Sequence, residues 1–184
     1  LLIKVVQPRG EAQRMKIRVV GQNKYLQYYR NTDTRPVYER PDSSFWKTNN
    51  FITIRNFSET DDKGAVPVSG KNVLKLCFDD TTTDDSEKTL ILFDEDMACR
   101  IAVFARSIDT MRKLFIDCAA GISRSDAIGE VLNDCFNRYR GNNGTGNEYF
   151  KIYNRQICGN PLVLRILRNI LFDLPFSGTR GERA

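Results

Sequence analysis

The chain has 184 residues, a hydrophobic content of 41% and a formal net charge of +5. This length suits one domain, and the apolar content is enough for one core, which argues against global disorder. Because the sequence contains no histidine, it excludes Ser-His-Asp and Cys-His catalysis, histidine-containing zinc sites and a histidine general base. We expect one domain over residues 1–173, with an N-terminal extension or variable part at 1–50, a core at 51–172 and a disordered tail at 174–184.

The first half of the chain contains strand-like patterns separated by polar segments. The alternating, β-branched stretches FITIRNF and NVLKLCF are typical of strands, whereas Pro36 and Pro41 lie in a polar stretch that favours irregular structure. In chain order, the patterns predict a short strand at 1–8, a strand followed by a helical turn at 17–30, an irregular surface loop at 31–50, strands at 51–57 and 72–78, and an acidic loop at 79–92.

The second half begins with a helical period. Asp94 suits an N-cap, and the apolar residues from Met97 to Ile108 recur at helical spacing. Asn160 and Pro161 suit the N-cap and first position of a last helix. In order, the patterns predict a helix at 95–108, a strand at 113–117, a helix at 124–139, a flexible loop at 141–146 and a helix at 162–172.

Strands alternate with helical segments through the core. This alternation predicts a mostly parallel sheet flanked by helices, which is an α/β domain.

The cysteines and the charge distribution bear on cofactors and partners. The odd set of five cysteines contains no C-x-x-C pair, so we expect neither a disulfide framework nor a metal site, and no cofactor. No apolar run approaches a secretory signal or the ~20 residues that span a membrane, so we expect a cytoplasmic protein. Residues 135–184 carry eight bases against three acids, but without the interleaved aromatic side chains of a single-strand binding surface. We therefore expect no nucleic-acid partner, no membrane partner and a monomeric chain.

The segment that carries chemistry is LFIDCAAGISRS, a predicted strand, a short glycine-containing turn and Arg-Ser at the start of a helix. Such a turn directs backbone N–H groups and the positive end of a helix at one point, which makes a site for a dianion. The same N–H groups would stabilise a thiolate at Cys118 and make it nucleophilic. Arg124 has the planar fork that clamps two phosphate oxygens, and Ser125 can donate a hydrogen bond to the departing thiolate.

The pattern C-x-x-G-x-x-R-S in DCAAGISRS closely resembles the phosphate-binding loop of the cysteine-dependent tyrosine and dual-specificity phosphatases, most of all their compact bacterial and phage forms. The likeness extends over about residues 51–172. It implies hydrolysis of phosphomonoesters through a cysteinyl-phosphate, with Cys118 as the nucleophile, Arg124 as the phosphate clamp and Ser125 as the leaving-group helper. Backbone groups would form the phosphate cradle at Ala119, Ala120, Gly121, Ile122 and Ser123.

The resemblance also implies a general acid. The family uses an aspartate on a loop about thirty to forty residues before the cysteine. The candidates in this window are Asp79, Asp80, Asp84 and Asp85. We prefer Asp80 and then Asp79, because both directly follow a strand that can position a carboxylate.

Asp117 is a departure from the family, which normally has histidine before the cysteine. An ionised carboxylate near the sulfur would disfavour the thiolate by like-charge repulsion. Alternatively, the side chain points away and accepts backbone hydrogen bonds, with little effect on the sulfur.

Three functions remain open on the sequence alone. The leading hypothesis is a phosphatase acting on a phosphorylated protein side chain or a small phosphomonoester. The lack of Lys and Arg between Cys118 and Arg124 disfavours inositol polyphosphates and phosphoinositides as substrates. The alternative is a catalytically impaired phosphate-binding or phosphoprotein-binding pseudophosphatase, which Asp117 keeps open. A rhodanese-like sulfur carrier is weaker, because Arg124 and Ser125 favour phosphate over a persulfide.

Overall fold

Parallel strands form the centre of the structure, a computed structural model that describes residues 15–21, 44–57, 70–82, 89–138, 146–154 and 158–173. The four strands of the sheet are β1 (Ile17–Gly21), β2 (Asn50–Arg55), β3 (Val73–Cys77) and β4 (Leu114–Cys118). Their order in the sheet is β1-β4-β2-β3, and each neighbouring pair is parallel. The predicted α/β class, with a mostly parallel sheet between helices, is confirmed.

The register of the sheet brings the carboxyl ends of its strands to one edge. Gly21 pairs with Cys118 across β1 and β4, and Arg55 pairs with Cys77 across β2 and β3. The segments that follow β3 and β4 therefore start at the same edge of the sheet, where β1 ends. In open parallel sheets this edge is where ligands bind.

The helices are α1 (Ser44–Thr48), α2 (Glu95–Ser107), α3 (Arg124–Asn133), α4 (Gly146–Tyr153) and α5 (Pro161–Arg168). Two of them begin as predicted: the Asp94 side chain accepts a hydrogen bond from Met97 N, and Asn160 caps α5 with Pro161 in its first turn. Five-residue π-helical turns continue α3 at Asp134–Arg138 and α5 at Asn169–Asp173.

Side chains of the sheet alternate between two apolar clusters. On one face, Ile52, Ile54, Leu114 and Ile116 pack in a large core with residues of α2, α3 and α5. The opposite face carries a smaller aromatic cluster, formed by Val20, Trp46, Phe51 and Phe115 with Phe45 against it. Because side chains of a strand alternate with period two, successive residues of β4 point to opposite faces.

The predicted irregular loop at 31–50 is wrong at its end. Residues 44–48 form α1, and the Trp46 side chain is buried against Phe51 with ring centroids 4.9 Å apart. Tertiary packing of Phe45 and Trp46 on the aromatic face of the sheet stabilises a helix that the polar sequence around it does not indicate. The remainder of that loop lies outside the described residues.

Other boundaries differ by small amounts. The strand predicted at 51–57 is β2, which begins at Asn50 and ends at Arg55, and the strand predicted at 113–117 extends to Cys118. The helix predicted at 124–139 is α-helical only to Asn133. Gly146, predicted as the end of a flexible loop, instead begins α4, a helix that the sequence patterns do not predict, and residues 141–145 lie outside the described residues. The predicted strand at 1–8, the helical turn after β1 and the tail at 174–184 lie outside the described residues.

Among the described residues, no helix is long and apolar enough to cross a membrane.

Candidate active site

Cys118 is the last residue of β4, at the carboxyl edge of the sheet, and its side chain is buried. Its Sγ accepts a hydrogen bond from Gly121 N at 3.3 Å. The Ser125 Oγ lies 3.1 Å from the same sulfur, and either group can donate in this contact. A thiolate at Cys118 would therefore have two hydrogen-bond donors, one from the turn and one from the first turn of α3.

The loop 119–123 turns sharply between β4 and α3. Gly121 has a φ of +72°, and a Cβ on it would overlap the backbone of Val20 and Gly21. A Cβ on Gly21 would in turn lie 2.7 Å from the Ala120 oxygen. The left-handed conformation and this close approach both require glycine. The end of β1 thus supports the loop from behind, and the side chains of Ala119, Ala120 and Ile122 are exposed.

Arg124 begins α3, and its side chain is 3% exposed. Its NH1 donates a hydrogen bond to the Phe78 carbonyl oxygen at 2.7 Å, which attaches the guanidinium to the segment after β3. The Nε makes no hydrogen bond and lies 3.9 Å from Asp80 Oδ2. The guanidinium is therefore anchored through NH1, while its buried Nε has no hydrogen-bond acceptor.

Asp80 extends from the segment after β3 to the start of α3. Its Oδ1 accepts hydrogen bonds from Ser123 Oγ at 2.7 Å and from Asn160 Nδ2 at 3.0 Å. Its side chain is 39% exposed, so the carboxyl group is open to solvent on one side. The structure thus brings Asp80 together with the loop that begins at Cys118.

Asp79 occupies a different environment. Its Oδ2 accepts a hydrogen bond from Ile91 N at 2.9 Å, and its backbone N donates to the Ile91 oxygen at 2.7 Å. The residue is buried and closes the acidic loop at its base. The other two candidates, Asp84 and Asp85, lie outside the described residues.

Asp117 points away from the sulfur, because it and Cys118 are successive residues of one strand. Its Oδ2 accepts hydrogen bonds from Arg55 NH1 at 2.8 Å and Thr53 Oγ1 at 3.0 Å, and the side chain is fully buried. Both of these donors are side chains of the neighbouring strand β2. The guanidinium of Arg55 compensates its charge.

Another buried carboxyl group, that of Asp126, lies in the first turn of α3. Burial raises the pKa of Asp126 from its ordinary 3.8 to about 7, and the charge of Glu130 adds to the increase. A hydrogen bond with the backbone of Cys158 has the opposite, smaller effect. Asp126 Oδ2 has no hydrogen-bond partner.

Three residues at or behind this site were not predicted to take part in it: Gly21, Arg55 and Asn160. The sequence indicates Asn160 only as a helix cap. The acceptor of the NH2 group of a capping asparagine cannot be identified until the fold is known. The position of Arg55 could have been predicted from the sequence, because strand alternation places it on the same face of the sheet as Thr53.

The site combines a cysteine, two donors to its sulfur, a buried guanidinium and a carboxyl group at the mouth of one loop. This arrangement can bind an oxyanion and attack its central atom. Within the described ranges, no group of three or more Cys, Asp or Glu side chains could hold a metal ion.

No protein-family model matches the chain, and no curated protein is significantly similar to it. Seven chains of solved structures match it. One is PTPMT1, a dual-specificity-type phosphatase, solved in complex with PI(5)P. The identity is 13% and the TM-score 0.43, over 74% of this chain and 84% of that chain.

Proposed function

We propose that the protein is a cysteine-dependent phosphatase that hydrolyses phosphomonoesters through a cysteinyl-phosphate. The observation that carries the proposal is the pair of contacts at Cys118 Sγ, from Gly121 N at 3.3 Å and Ser125 Oγ at 3.1 Å. Both groups can donate a hydrogen bond to a thiolate at this sulfur, the form in which cysteine acts as a nucleophile.

In the first step, the Cys118 thiolate attacks phosphorus, a P–S bond forms and the P–O bond to the leaving group breaks. Asp80, in its protonated form, gives its proton to the departing oxygen. The backbone N–H groups of residues 119–123 and the Nε of Arg124 would bind the phosphoryl oxygens, on which negative charge is spread in the transition state.

In the second step, water attacks the phosphocysteine and the P–S bond breaks. The Asp80 carboxylate takes a proton from this water, and inorganic phosphate leaves. Ser125 donates a hydrogen bond to the thiolate as it departs, which restores the contact seen at 3.1 Å. The cycle therefore returns both Cys118 and Asp80 to their starting forms, and it needs no metal or cofactor.

Asp80 is a better general acid than Asp79 in this arrangement. Asp80 is partly exposed at the mouth of the loop, and its neighbours Ser123 and Arg124 belong to that loop. Asp79 is buried, and its carboxyl is occupied by Ile91 N. A buried carboxyl that closes a loop is held away from a substrate.

The position of Asp117 favours an enzyme over a pseudophosphatase. The pseudophosphatase hypothesis depended on a carboxylate near the sulfur, and this carboxylate is paired with Arg55 on the opposite face of the sheet.

For the substrate we propose a phosphorylated protein side chain, since the loop residues Ala119, Ala120 and Ile122 add no positive charge around the phosphate. All five cysteines are thiols in the structure, which fits a reducing, cytoplasmic setting.

The test is hydrolysis of p-nitrophenyl phosphate between pH 5 and 9 with EDTA present. Cys118→Ser should abolish turnover, and Asp80→Asn should lower kcat by about 10²-fold or more. The matched controls are Cys158→Ser, an exposed cysteine, and Asp79→Asn, which should both retain most of the rate per folded molecule.

Rapid acid quenching with labelled substrate should trap phosphate on the wild-type protein and none on Cys118→Ser. Absence of turnover and of trapped phosphate, with vanadate still bound, would contradict the proposal and favour a phosphate-binding module.

A further inference from the structure

Asn160 connects three segments that meet at the candidate site. Its backbone N donates to the Ser123 oxygen at 3.2 Å, its Oδ1 caps α5, and its Nδ2 reaches Asp80 Oδ1 at 3.0 Å and the Thr81 oxygen at 3.4 Å. The residue is buried. One side chain thus joins the start of α5 to the segment that carries Asp80, while its main chain is attached to the loop before α3.

The orientation of the Asn160 amide is set by chemistry. Its Oδ1 accepts hydrogen bonds from Leu162 N at 3.0 Å and Val163 N at 3.3 Å. The opposite orientation would set an NH2 group against two N–H donors and a carbonyl oxygen against a carboxylate, so both sets of contacts would be lost. Capping of α5 therefore directs the NH2 group at Asp80.

Asp80 has few other constraints among the described contacts. Its side chain is 39% exposed, Ser123 is itself a rotatable hydroxyl, and the Arg124 Nε is 3.9 Å away. A general acid must lie within hydrogen-bond reach of the oxygen that it protonates, so a carboxyl group free to change rotamer is a poor acid. The Asn160 NH2 group also donates to Asp80, and it is held more firmly than the Ser123 hydroxyl. The Asn160 side chain is buried, and its Oδ1 accepts two hydrogen bonds from α5.

We propose that Asn160 is a positioning residue for the reaction, and that its NH2 group holds the Asp80 carboxyl group over the phosphate-binding loop. The inference rests on the proposed function, in which Asp80 is the general acid. The Asn160 side chain then has two roles. Its carbonyl oxygen stabilises α5, and its amide nitrogen serves catalysis.

Asn160→Ser separates these roles, because serine is as good an N-cap as asparagine but is too short to reach Asp80. Asn160→Asp is a second variant that retains the capping oxygen and removes the donor. The matched control is Val163→Ala, which weakens the packing of α5 and leaves the Asn160 side chain intact.

The first readout compares two leaving groups. Phenolate is a poor leaving group that needs protonation, and p-nitrophenolate is a good one that needs it less. We expect Asn160→Ser to lower kcat about tenfold or more for phenyl phosphate, with a much smaller loss for p-nitrophenyl phosphate and little change in KM. In Asp80→Asn, adding Asn160→Ser should cost nothing further, because the two residues act as one unit. Equal losses for both substrates, or additive losses with Asp80→Asn, would overturn the inference.

The second readout does not depend on turnover. Three-bond NMR couplings should show one χ1 rotamer for Asp80 in the wild type and in Val163→Ala, and averaged rotamers in Asn160→Ser and Asn160→Asp. If the wild type hydrolyses neither substrate while this pattern holds, the proposed function fails and the positioning by Asn160 stands. A fixed Asp80 rotamer in both Asn160 variants would show that Asn160 does not position it.

Discussion

Asp117 shows how a residue adjacent to a nucleophile can be electrostatically separate from it. Its carboxylate is fully buried on the face of the sheet opposite to Cys118, and it accepts hydrogen bonds from Arg55 and Thr53. A buried charge is tolerated only while it is paired, because its desolvation is otherwise uncompensated. Arg55 is therefore part of the structure that supports β4.

Removal of this partner should be costly. Arg55→Ala should lower the free energy of unfolding by about 3 kcal/mol or more, because it removes the guanidinium that lies 2.8 Å from the buried Asp117 carboxylate. The measurement is urea unfolding at pH 7. The control is Arg112→Ala, whose partner Asp109 is exposed, with an expected cost below about 1 kcal/mol. Equal costs for the two variants would contradict this account of Asp117.

Asp126 should make stability depend on pH in the opposite sense to a salt-bridged carboxylate. Its pKa is raised from 3.8 to about 7, so the folded state holds a proton that the unfolded state releases. The stability from this group is fully present below pH 3.8, decreases as the pH rises and is lost through pH 7.

Asp126→Asn removes this titration. Relative to the wild type, the variant should gain stability steadily between pH 4 and 7 and should be more stable by about 1 kcal/mol or more at pH 8. Urea unfolding of both proteins over this pH range checks the difference. A difference that is constant with pH would show that Asp126 has an ordinary pKa.

At the scale of elements, the loop 119–123 depends on a contact between two glycines. Gly121 is in the left-handed region, and the end of β1 at Gly21 lies directly behind the loop. Neither position has room for a Cβ, so the shape of the loop is set by the backbone of a strand that lies about a hundred residues earlier in the sequence.

Gly21→Ala should therefore impair the site although Gly21 does not belong to the loop. The added Cβ would lie 2.7 Å from the Ala120 oxygen, so the loop must shift and the Gly121 contact to the sulfur is lost. We expect hydrolysis of p-nitrophenyl phosphate to fall about 10²-fold, since a misplacement of 1 Å can have this effect. Gly70→Ala, in an exposed turn, is the control and should leave the rate unchanged. A normal rate in Gly21→Ala would show that the loop does not depend on β1.

The sequence predicted the elements with a strong period and missed two short helices, α1 and α4. The alternating strands and the capped helices follow from local patterns, and the structure has them within a few residues. Helix α1 has only five residues and no amphipathic period, so it depends on aromatic partners in β2 and β4. The strand before Cys118 and the helix after it were predictable for the same local reason, but the contacts of Asn160 and Gly21 arise from chain segments that meet only in the fold.

At the scale of the whole molecule, the two faces of the sheet can be followed separately during unfolding. Trp46 is the only tryptophan of the chain and is buried in the aromatic cluster, whereas the helices on the other face dominate circular dichroism. If residues 1–173 form one domain, as we predict, both signals should change together.

The measurement is urea unfolding followed by tryptophan fluorescence and by far-UV circular dichroism on the same samples. We expect coincident transitions with one midpoint, which is the behaviour of a single cooperative unit. An earlier fluorescence transition would show that α1 and the aromatic face unfold independently, and it would contradict the single-domain prediction.

The parallel sheet has a consequence for finding what the protein binds. The residues that form the proposed site or support it come from separate segments of the chain, near positions 21, 80, 118 and 160, and they meet only in the folded structure. A ligand of this site binds the folded chain and not the unfolded one, so it raises the melting temperature by an amount that grows with the ratio of its concentration to its Kd. Thermal-shift screening of phosphopeptides and small phosphate esters against Cys118→Ser would therefore rank candidate substrates without any assay of turnover.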